Sequence, residues 1–312
     1  MEFYPKISII TPSYNQGTFL EKTILSVINQ QYPNVEYIII DGNSSDNSVE
    51  IVKKYQTHLT YWISEPDNGQ SEAINKGLKI ASGEIINWLN SDDYLEPGAL
   101  FKIAAEFTHS SVQVLCAYAN LYTPSHNVKK RTSALGLNYA QFIAQGHIMQ
   151  PATFFLKKIL DEFVPLETSL HYMMDHYLWL QYLCKNGTTH IQYVDYAVVN
   201  VLVHEDAKSY KNIHLFIKDR SLIYTSLFSA HQLPFRFPKT DLEGLKQLPF
   251  NYLSDSIQKN GKKINFYLLI QSLFKRDPHG LKKVLNMKCL LYLLFFFPKY
   301  TLLHYVINRP IT

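Results

Sequence analysis

The sequence predicts an α/β protein with a doubly wound, mostly parallel sheet and helices on both of its faces. Three observations favour this class. Short apolar runs alternate with amphipathic stretches over residues 7–107. The amphipathic stretches carry apolar residues at helical spacing, and a polar loop follows each of the first four apolar runs. Strand and helix that alternate at this period are typical of parallel sheets.

Four strands are predicted in the first third of the chain, each from a short apolar run. They cover residues 7–10, 35–40, 59–63 and 84–89. A helix is predicted after each strand, at residues 18–31, 46–55, 71–81 and from Pro97 to about 107. Pro97 is expected in the first turn of the fourth helix, where proline is favoured.

The pattern becomes more mixed after residue 110. A strand is predicted at 112–118, a helix at 175–186 that ends at Gly187, and an extended run at 191–203. Beyond about residue 210 the alternation ends and the chain is mainly helical. We therefore predict an α/β domain over 1–225, with halves at about 1–108 and 109–225, and a helical C-terminal extension over 226–312.

Composition and charge exclude several classes of protein. Of the 312 residues, 46% are hydrophobic and 18% are charged, which is an ordinary globular balance. The net charge of +4 is too small to indicate a nucleic-acid partner, and we expect none. The three cysteines form no disulfide or metal-ligand pattern, and no signal peptide is evident at the N-terminus. A cytoplasmic location is expected.

Polar residues follow each of the four predicted strands, at residues 11–15, 41–46, 64–69 and 90–93. In open α/β sheets, ligands bind outside the carboxyl ends of the strands. The four loops therefore predict a ligand site at that edge of the sheet. The alternative is that they are four solvated loops, since connecting segments are usually polar.

The predicted site lacks the glycine-rich phosphate loops. Gly17 is the only glycine in the loop that follows the first strand, so no dinucleotide fingerprint is present, and no P-loop sequence occurs. Asp92 and Asp93 offer a different way to hold phosphate. Carboxylate oxygens bind Mg²⁺ or Mn²⁺, and such an ion can bridge the oxygens of a diphosphate. An Asp-Asp pair is also common in turns.

Five segments resemble the inverting family 2 glycosyltransferases with the GT-A fold, in order and in spacing. They are 9–15, 40–46, 64–69, 75–77 and 88–93. The resemblance is specific over about residues 6–108 and weaker to about 210. It implies a GT-A-like sheet whose first half binds a nucleotide-sugar donor, with a UDP-sugar favoured, and whose second half binds a glycan or lipid-linked acceptor. It also implies sugar transfer with inversion in cell-surface polysaccharide or glycolipid assembly.

The resemblance assigns the donor site residue by residue. Thr11, Pro12 and Tyr14 would line the nucleobase pocket, and Asp41 would accept a hydrogen bond from the base. The chain departs from the family at Gly42, where many members carry a second acidic residue, and this leaves the base contact open.

The same resemblance assigns the diphosphate and metal contacts. Asp67 and Asp92 would contact the nucleotide, although Asp67 could equally form a turn. Asp93, in a DXD-type motif, and His204 would ligate Mn²⁺ or Mg²⁺. Similar enzymes sometimes carry an arginine two residues before this histidine, where this chain has Leu202.

Asp175 matches the position of the general base of the family. It would take the proton of the acceptor hydroxyl as that hydroxyl attacks the sugar. The chain departs from the family at Met174 and Tyr177, where acidic residues are frequent. The structural alternative is that Asp175 caps the helix N-terminus. His147 and residues 150–151 are candidates for the acceptor side.

An apolar segment at residues 289–297 lies between lysines near the C-terminus. It is too short for a spanning helix, for which ~20 apolar residues are needed. Residues 282–307 are therefore a candidate for peripheral contact with the inner face of an anionic membrane. Packing on the catalytic domain fits equally well.

Two other functions compete with sugar transfer. A sugar-phosphate nucleotidyltransferase would also use an α/β nucleotide site, but it usually needs a glycine-rich loop with Arg and Lys after the first strand. A non-catalytic nucleotide-sugar-binding protein on the same scaffold would explain the departures at Met174 and Tyr177.

Overall fold

The computed structural model describes residues 4–108, 111–122, 128–133, 137–203, 213–233 and 246–276. Within these residues the predicted α/β class is confirmed. One nine-stranded sheet is covered by helices on both faces, and each face has its own apolar core.

The first four strands are parallel and adjacent. They are β1 (Ile7–Ser13), β2 (Val35–Asp41), β3 (Tyr61–Ser64) and β4 (Ile85–Trp88), in the order β3-β2-β1-β4. The chain leaves β1 on one side to form β2 and β3 and then returns to its other side to form β4. The order of strands thus reverses between β1 and β4, which is where α/β sheets bind ligands.

The helices between these strands cover both faces of the sheet. They are α1 (Gly17–Ile28), α2 (Ser48–Lys54), α3 (Gln70–Ile80) and α4 (Ala99–Glu106). α1, α2 and α4 contribute to one core, and α3 contributes to the other. Pro97 does not open α4 as predicted, because Gly98 has a left-handed φ of 70° and the helix starts only at Ala99.

The second half of the sheet mixes strand directions. It contains β5 (Tyr94–Leu95), β6 (Val114–Tyr122), β7 (Val128–Thr132), β8 (Thr153–Leu156) and β9 (Ile191–Leu202). The full order is β3-β2-β1-β4-β8-β6-β9-β5, and β7 pairs with β6. β8 runs antiparallel to both β4 and β6, so it joins the parallel half to the rest of the sheet.

The remaining helices pack on the face that carries α3. They are α5 (Tyr139–Gln145), α6 (Lys157–Leu160), α7 (Met174–Asn186), α8 (Ile213–Ala230) and α9 (Asp255–Arg276). Nearly all of α7 from Met174 to Cys184 is buried, so this helix lies inside the molecule. It ends at Gly187, which has a φ of 63°, as predicted.

In the C-terminal part, α8 and α9 are helical as predicted, whereas residues 231–233 and 246–254 are not. α8 runs through residue 225, and the division into two domains there stays a prediction. Among the helices of the described ranges, none has the length and apolar character to cross a bilayer. The segment 282–307 lies outside those ranges.

Candidate active site

A cavity of about 960 Å³ opens at the carboxyl edge of the parallel strands. The loops after β1, β2, β3 and β4 form one side of it, as the polar loops of the sequence indicated. The segment 148–151, the start of α7, the end of β9 and Phe216 of α8 form the other side. The cavity therefore joins both halves of the sheet.

Asp92 and Asp93 lie in this cavity directly after β4. Thr23 of α1 fixes the turn, since its hydroxyl donates to the backbone carbonyl of Asp93 at 2.6 Å and lies 2.9 Å from that of Ser91. The Asp93 carboxylate accepts a hydrogen bond from Asn90 Nδ2 at 3.0 Å. Burial, followed by the charge of Asp92, raises the pKa of Asp93 well above its usual range.

Asp175 lies in the first turn of α7 and lines the same cavity. It is half-buried. Burial raises its pKa to about 6, although the backbone N–H of His176 acts in the opposite direction by donating to Asp175 Oδ1 at 2.7 Å. The N-cap of α7 is Met173, so Asp175 does not occupy the capping position. Its carboxylate still satisfies one free N–H of the first turn.

The structure thus brings the acidic pair after β4 and the carboxylate on α7 to one cavity, although 82 positions of sequence separate Asp93 from Asp175. The chemical role of each residue stays a prediction. An arrangement of this kind suits a reaction in which one acidic site holds an anionic group through a cation and a second carboxylate takes a proton.

Besides Asp92, three of the residues assigned to the nucleotide line the cavity, namely Pro12, Tyr14 and Asp67. Tyr14 is 61% exposed, so its ring is accessible to a flat ligand. Asp67 is half-buried, and its Oδ1 accepts the backbone N–H of Gly69 at 2.8 Å. Asp67 thus forms the local turn and still faces the cavity.

Thr11 and Asp41 do not line the cavity, because both side chains are buried within the protein. Thr11 Oγ1 lies 3.2 Å from the hydroxyl of Tyr37. The Asp41 carboxylate accepts the N–H and the hydroxyl of Ser44, at 2.9 and 2.5 Å, and the hydroxyl of Ser64 at 2.7 Å. Asp41 therefore ties the loop after β2 to the end of β3.

His204 lies outside the described residues. Leu202, two positions before it, lines the cavity. On the second side of the cavity, Gln150 and Pro151 are present as expected for acceptor candidates, whereas His147 does not line it.

An aromatic part of the wall, which the sequence did not predict, is formed by His171, Tyr172 and Phe216. The rings of Tyr172 and Phe216 lie 5.1 Å apart. Neither residue belongs to a strand-end loop, and no local pattern marks them. Only the packing of α8 against the start of α7 brings them to the cavity.

A sequence model of glycosyl transferase family 2 matches residues 8–163, which is half of the chain. Over 190 residues the chain is 28% identical to an uncharacterized glycosyltransferase of Rickettsia typhi, covering 58% of this chain and 59% of the relative. Over 138 residues it is 33% identical to the GalNAc(5)-diNAcBac-PP-undecaprenol beta-1,3-glucosyltransferase of Campylobacter jejuni, covering 43% of this chain and 44% of the relative. The chain thus spans little more than half of these relatives at most.

The fold is similar to that of S. aureus TarS. The crystal structure of TarS residues 1–349 superimposes with a TM-score of 0.60 at 17% identity, covering 91% of this chain and 76% of TarS. The same protein in complex with UDP superimposes with a TM-score of 0.58, covering the same shares. At this level of identity the likeness establishes the fold alone.

Proposed function

The chain belongs to glycosyl transferase family 2, and on that premise we propose that it transfers a sugar, with inversion, from a nucleoside-diphosphate donor to an acceptor hydroxyl. The single observation that carries the proposal is the shared cavity of Asp93 and Asp175. A family 2 enzyme needs a place for the donor diphosphate and a base for the acceptor, and the two carboxylates supply candidates for both.

A divalent cation, Mn²⁺ or Mg²⁺, fits the donor end of the cavity. Asp93 is 2% exposed, and no Lys, Arg or His of the described ranges forms an ion pair with it. Two adjacent carboxylates offer the oxygen ligands that a hard cation prefers. Asp93 would hold the ion, with Asp92 beside it and His204 as a further candidate ligand. When bound, the ion would neutralise charge on the departing diphosphate.

The described part of the chain contains no group of three acidic, His or Cys side chains that could hold a metal by themselves. A cation at Asp93 would therefore take its other ligands from the donor diphosphate, from water or from His204. Because the protein would supply only part of the metal's ligands, we expect the ion and the nucleotide to bind together and neither to bind tightly alone.

Asp175 would act as the general base. A pKa of about 6 leaves its carboxylate mostly ionised at neutral pH while it remains basic enough to take a proton. The acceptor oxygen attacks the anomeric carbon while its proton passes to Asp175, and the bond from that carbon to the diphosphate oxygen breaks. Attack from the face opposite the leaving group inverts the anomeric centre.

We favour a UDP-sugar as the donor. The structural neighbour TarS forms complexes with UDP and with UDP-GlcNAc. The name of the C. jejuni relative contains an undecaprenol-linked glycan as its substrate. This name supports a glycan or lipid-linked acceptor. Such an acceptor would bring the enzyme to a membrane surface, where residues 282–307 are the candidate contact.

The proposal is tested first by titration calorimetry of UDP with and without Mn²⁺. The wild type should bind UDP much more tightly with Mn²⁺, and Asp93→Ala should lose this difference. Asp161→Ala, which removes an exposed carboxylate paired with Lys157, is the control and should behave as the wild type. Metal-dependent binding by Asp93→Ala would remove the proposed role of Asp93.

The role of Asp175 is tested by UDP release from a panel of UDP-, GDP- and dTDP-sugars. Asp175→Asn should bind UDP normally but turn over the best donor at least ~10²-fold more slowly. Equal, slow turnover by the wild type and the variant would favour a non-catalytic binding protein.

A further inference from the structure

Helix α8 contacts the chain on both sides of Asp175, and it does so through two polar side chains, Asp219 and Tyr224. The helix covers Ile213–Ala230 and lies beyond the segment 8–163 that the family model matches. Its contacts with the start of α7 are therefore a property of this chain that the family match does not describe.

Asp219 holds the residues just before the helix. Its Oδ2 accepts the backbone N–H of Tyr172 at 2.9 Å, and the carboxylate also accepts the N–H of Met173, the N-cap of α7. A helix N-terminus leaves several N–H groups without partners inside the helix, and nearby carboxylates satisfy such groups well. Asp219 thus fixes the chain two and three positions before Asp175.

Tyr224 holds the residue that follows Asp175. Its hydroxyl donates to the carbonyl of Ile143 at 2.6 Å and lies 3.0 Å from His176 Nε2. A hydroxyl has a single hydrogen to donate. Because that hydrogen is given to Ile143, the Nε2–H of His176 must donate to the Tyr224 oxygen. Both side chains are buried, with 7% of His176 and 1% of Tyr224 exposed, so water competes little for this bond.

A third contact supports the same segment. The ring of Phe216, one turn before Asp219 on α8, lies 5.1 Å from the ring of Tyr172 in a tilted arrangement. Aromatic pairs at such distances add to the packing energy. The segment 172–176 is thus held by one carboxylate, one hydroxyl and one ring, all from α8.

We infer that α8 is the element that positions the base: Asp219 holds the backbone before Asp175, Tyr224 holds the side chain of His176 after it, and together they direct the Asp175 carboxylate into the cavity. This inference rests on the proposed role of Asp175 as the general base. Asp219 and Tyr224 are positioning residues, because they act on the reaction through Asp175. A displacement of about 1 Å at a reacting group can cost ~10²-fold in rate, so this role has a measurable consequence.

The kinetic test compares substitutions at the two contacts, using the donor that the wild type turns over fastest. Asp219→Ala should lower kcat by roughly 10–100-fold, while the KM for the donor and the Kd for UDP stay near the wild-type values. Asp219→Asn should recover most of the lost rate, because its carbonyl oxygen still accepts one of the two N–H groups. Tyr224→Phe should lower kcat by roughly 3–10-fold.

Ser226→Ala is the matched control. Ser226 lies on the same helix, is buried, and accepts the backbone N–H of Leu248 at 3.0 Å. Its loss also removes a side-chain acceptor of a buried N–H, but the segment 248–250 that it holds contacts α7 at Tyr177 and Gln181, after the residues 172–176. Ser226→Ala should therefore lower the unfolding temperature and leave kcat unchanged. A purely structural role for Asp219 would make the two variants behave alike.

Hydrogen exchange gives a readout that does not depend on catalysis. The amides of Tyr172 and Met173 should exchange faster in Asp219→Ala than in the wild type, and at the wild-type rate in Ser226→Ala. Unchanged exchange at these amides, or a wild-type kcat for Asp219→Ala, would overturn the inference. If Asp219→Ala does not fold, the kinetic test is made with Tyr224→Phe. A wild-type kcat for Tyr224→Phe would then overturn the inference.

The kinetics of these variants distinguish a failure of the proposed base, Asp175, from a failure of the proposed positioning role of α8. If Asp175→Asn turns over donor as fast as the wild type, the proposed base is wrong and the positioning role falls with it. If Asp175→Asn is slow but Asp219→Ala and Tyr224→Phe are fast, the base stands and α8 does not position it.

Discussion

The carboxylate of Asp67 occupies the space beside Gly42. A Cβ atom at position 42 would lie 2.8 Å from Asp67 Oδ2 and 3.2 Å from its Cγ. Both residues line the cavity, on the side of Pro12 and Tyr14. The acidic side chain that many family members carry at position 42 would therefore collide with Asp67. In this chain, the carboxylate that faces the cavity beside Pro12 and Tyr14 comes from the loop after β3.

This contact predicts that Gly42→Ala weakens UDP binding. The added methyl group must displace the Asp67 carboxylate, which also accepts the N–H of Gly69 at 2.8 Å, so the loop at the cavity wall moves. We expect the Kd for UDP to rise by roughly tenfold, equivalent to about 1.4 kcal/mol. Titration calorimetry in the presence of Mn²⁺ measures this change.

The double variant Gly42→Ala/Asp67→Ala separates the contact from other effects. Without the carboxylate, the methyl group has room, so the double variant should bind UDP no more weakly than Asp67→Ala alone. Such non-additivity is expected of residues in direct contact. Additive losses would mean that Gly42 acts independently of Asp67.

The parallel half of the sheet could be predicted from the sequence because local signals agree there. Ile9, Ile39 and Ile86 belong to short apolar runs, each followed by polar residues, and parallel pairing brings the ends of these runs to one edge. Because the loops after β1 and β4 meet at that edge, Asp92 and Asp93 could be expected to lie near Tyr14.

The rest of the site depends on contacts between distant parts of the chain, which local pattern does not encode. Asp41 ends β2 and Asp92 lies in the loop after β4, so both belong to the polar clusters at this edge. Asp41 nevertheless bonds to Ser44 and Ser64 and is buried behind the cavity wall. Tyr172 and Phe216 are separated by 43 intervening residues and meet only because α8 packs on the start of α7.

The pKa of Asp175 predicts how the activity varies with pH. The ionised carboxylate is the form that accepts a proton, and its pKa is about 6. The value of kcat/KM should therefore fall as the pH drops below 6, approaching tenfold for each pH unit. The profile is measured with the best donor, and UDP binding is followed in parallel to exclude loss of the nucleotide. A flat profile between pH 5 and about 7 would contradict the assignment.

The same shift predicts that Asp175 lowers the stability of the folded protein. Its pKa rises from 3.8 to about 6 on folding, so the ionised carboxylate is disfavoured in the native state. This loss of folding stability is absent at pH values below 3.8, grows as the pH rises to 6, and is then constant. Asp175→Asn keeps an oxygen for the His176 N–H and should be more stable at pH 7.5 by about 1–3 kcal/mol. Urea unfolding at pH 4 and pH 7.5 tests this, since the gain should appear only at the higher pH.

Glu36 connects three segments at the opposite edge of the sheet and is 4% exposed. Its Oε1 pairs with Lys6 Nζ at 2.6 Å, and its Oε2 accepts the hydroxyl of Ser8 at 2.5 Å and the N–H of Ser82 at 2.7 Å. Burial alone would raise its pKa, but the donors from Lys6, Ser8 and Ser82 outweigh it and lower the pKa to about 2.

A lowered carboxylate pKa contributes stability above its unfolded value of 4.5, and this contribution is lost as the pH falls from 4.5 through 2. Glu36→Gln should therefore destabilise the protein by roughly 2–4 kcal/mol at pH 7. The difference from the wild type should shrink as the pH is lowered toward 2. Glu21→Gln removes the exposed ion pair with Lys54 and should leave the unfolding free energy unchanged within error.

Because Glu36 lies away from the cavity, folded Glu36→Gln should bind UDP with the wild-type Kd. Weakened binding would show that the two edges of the sheet are coupled.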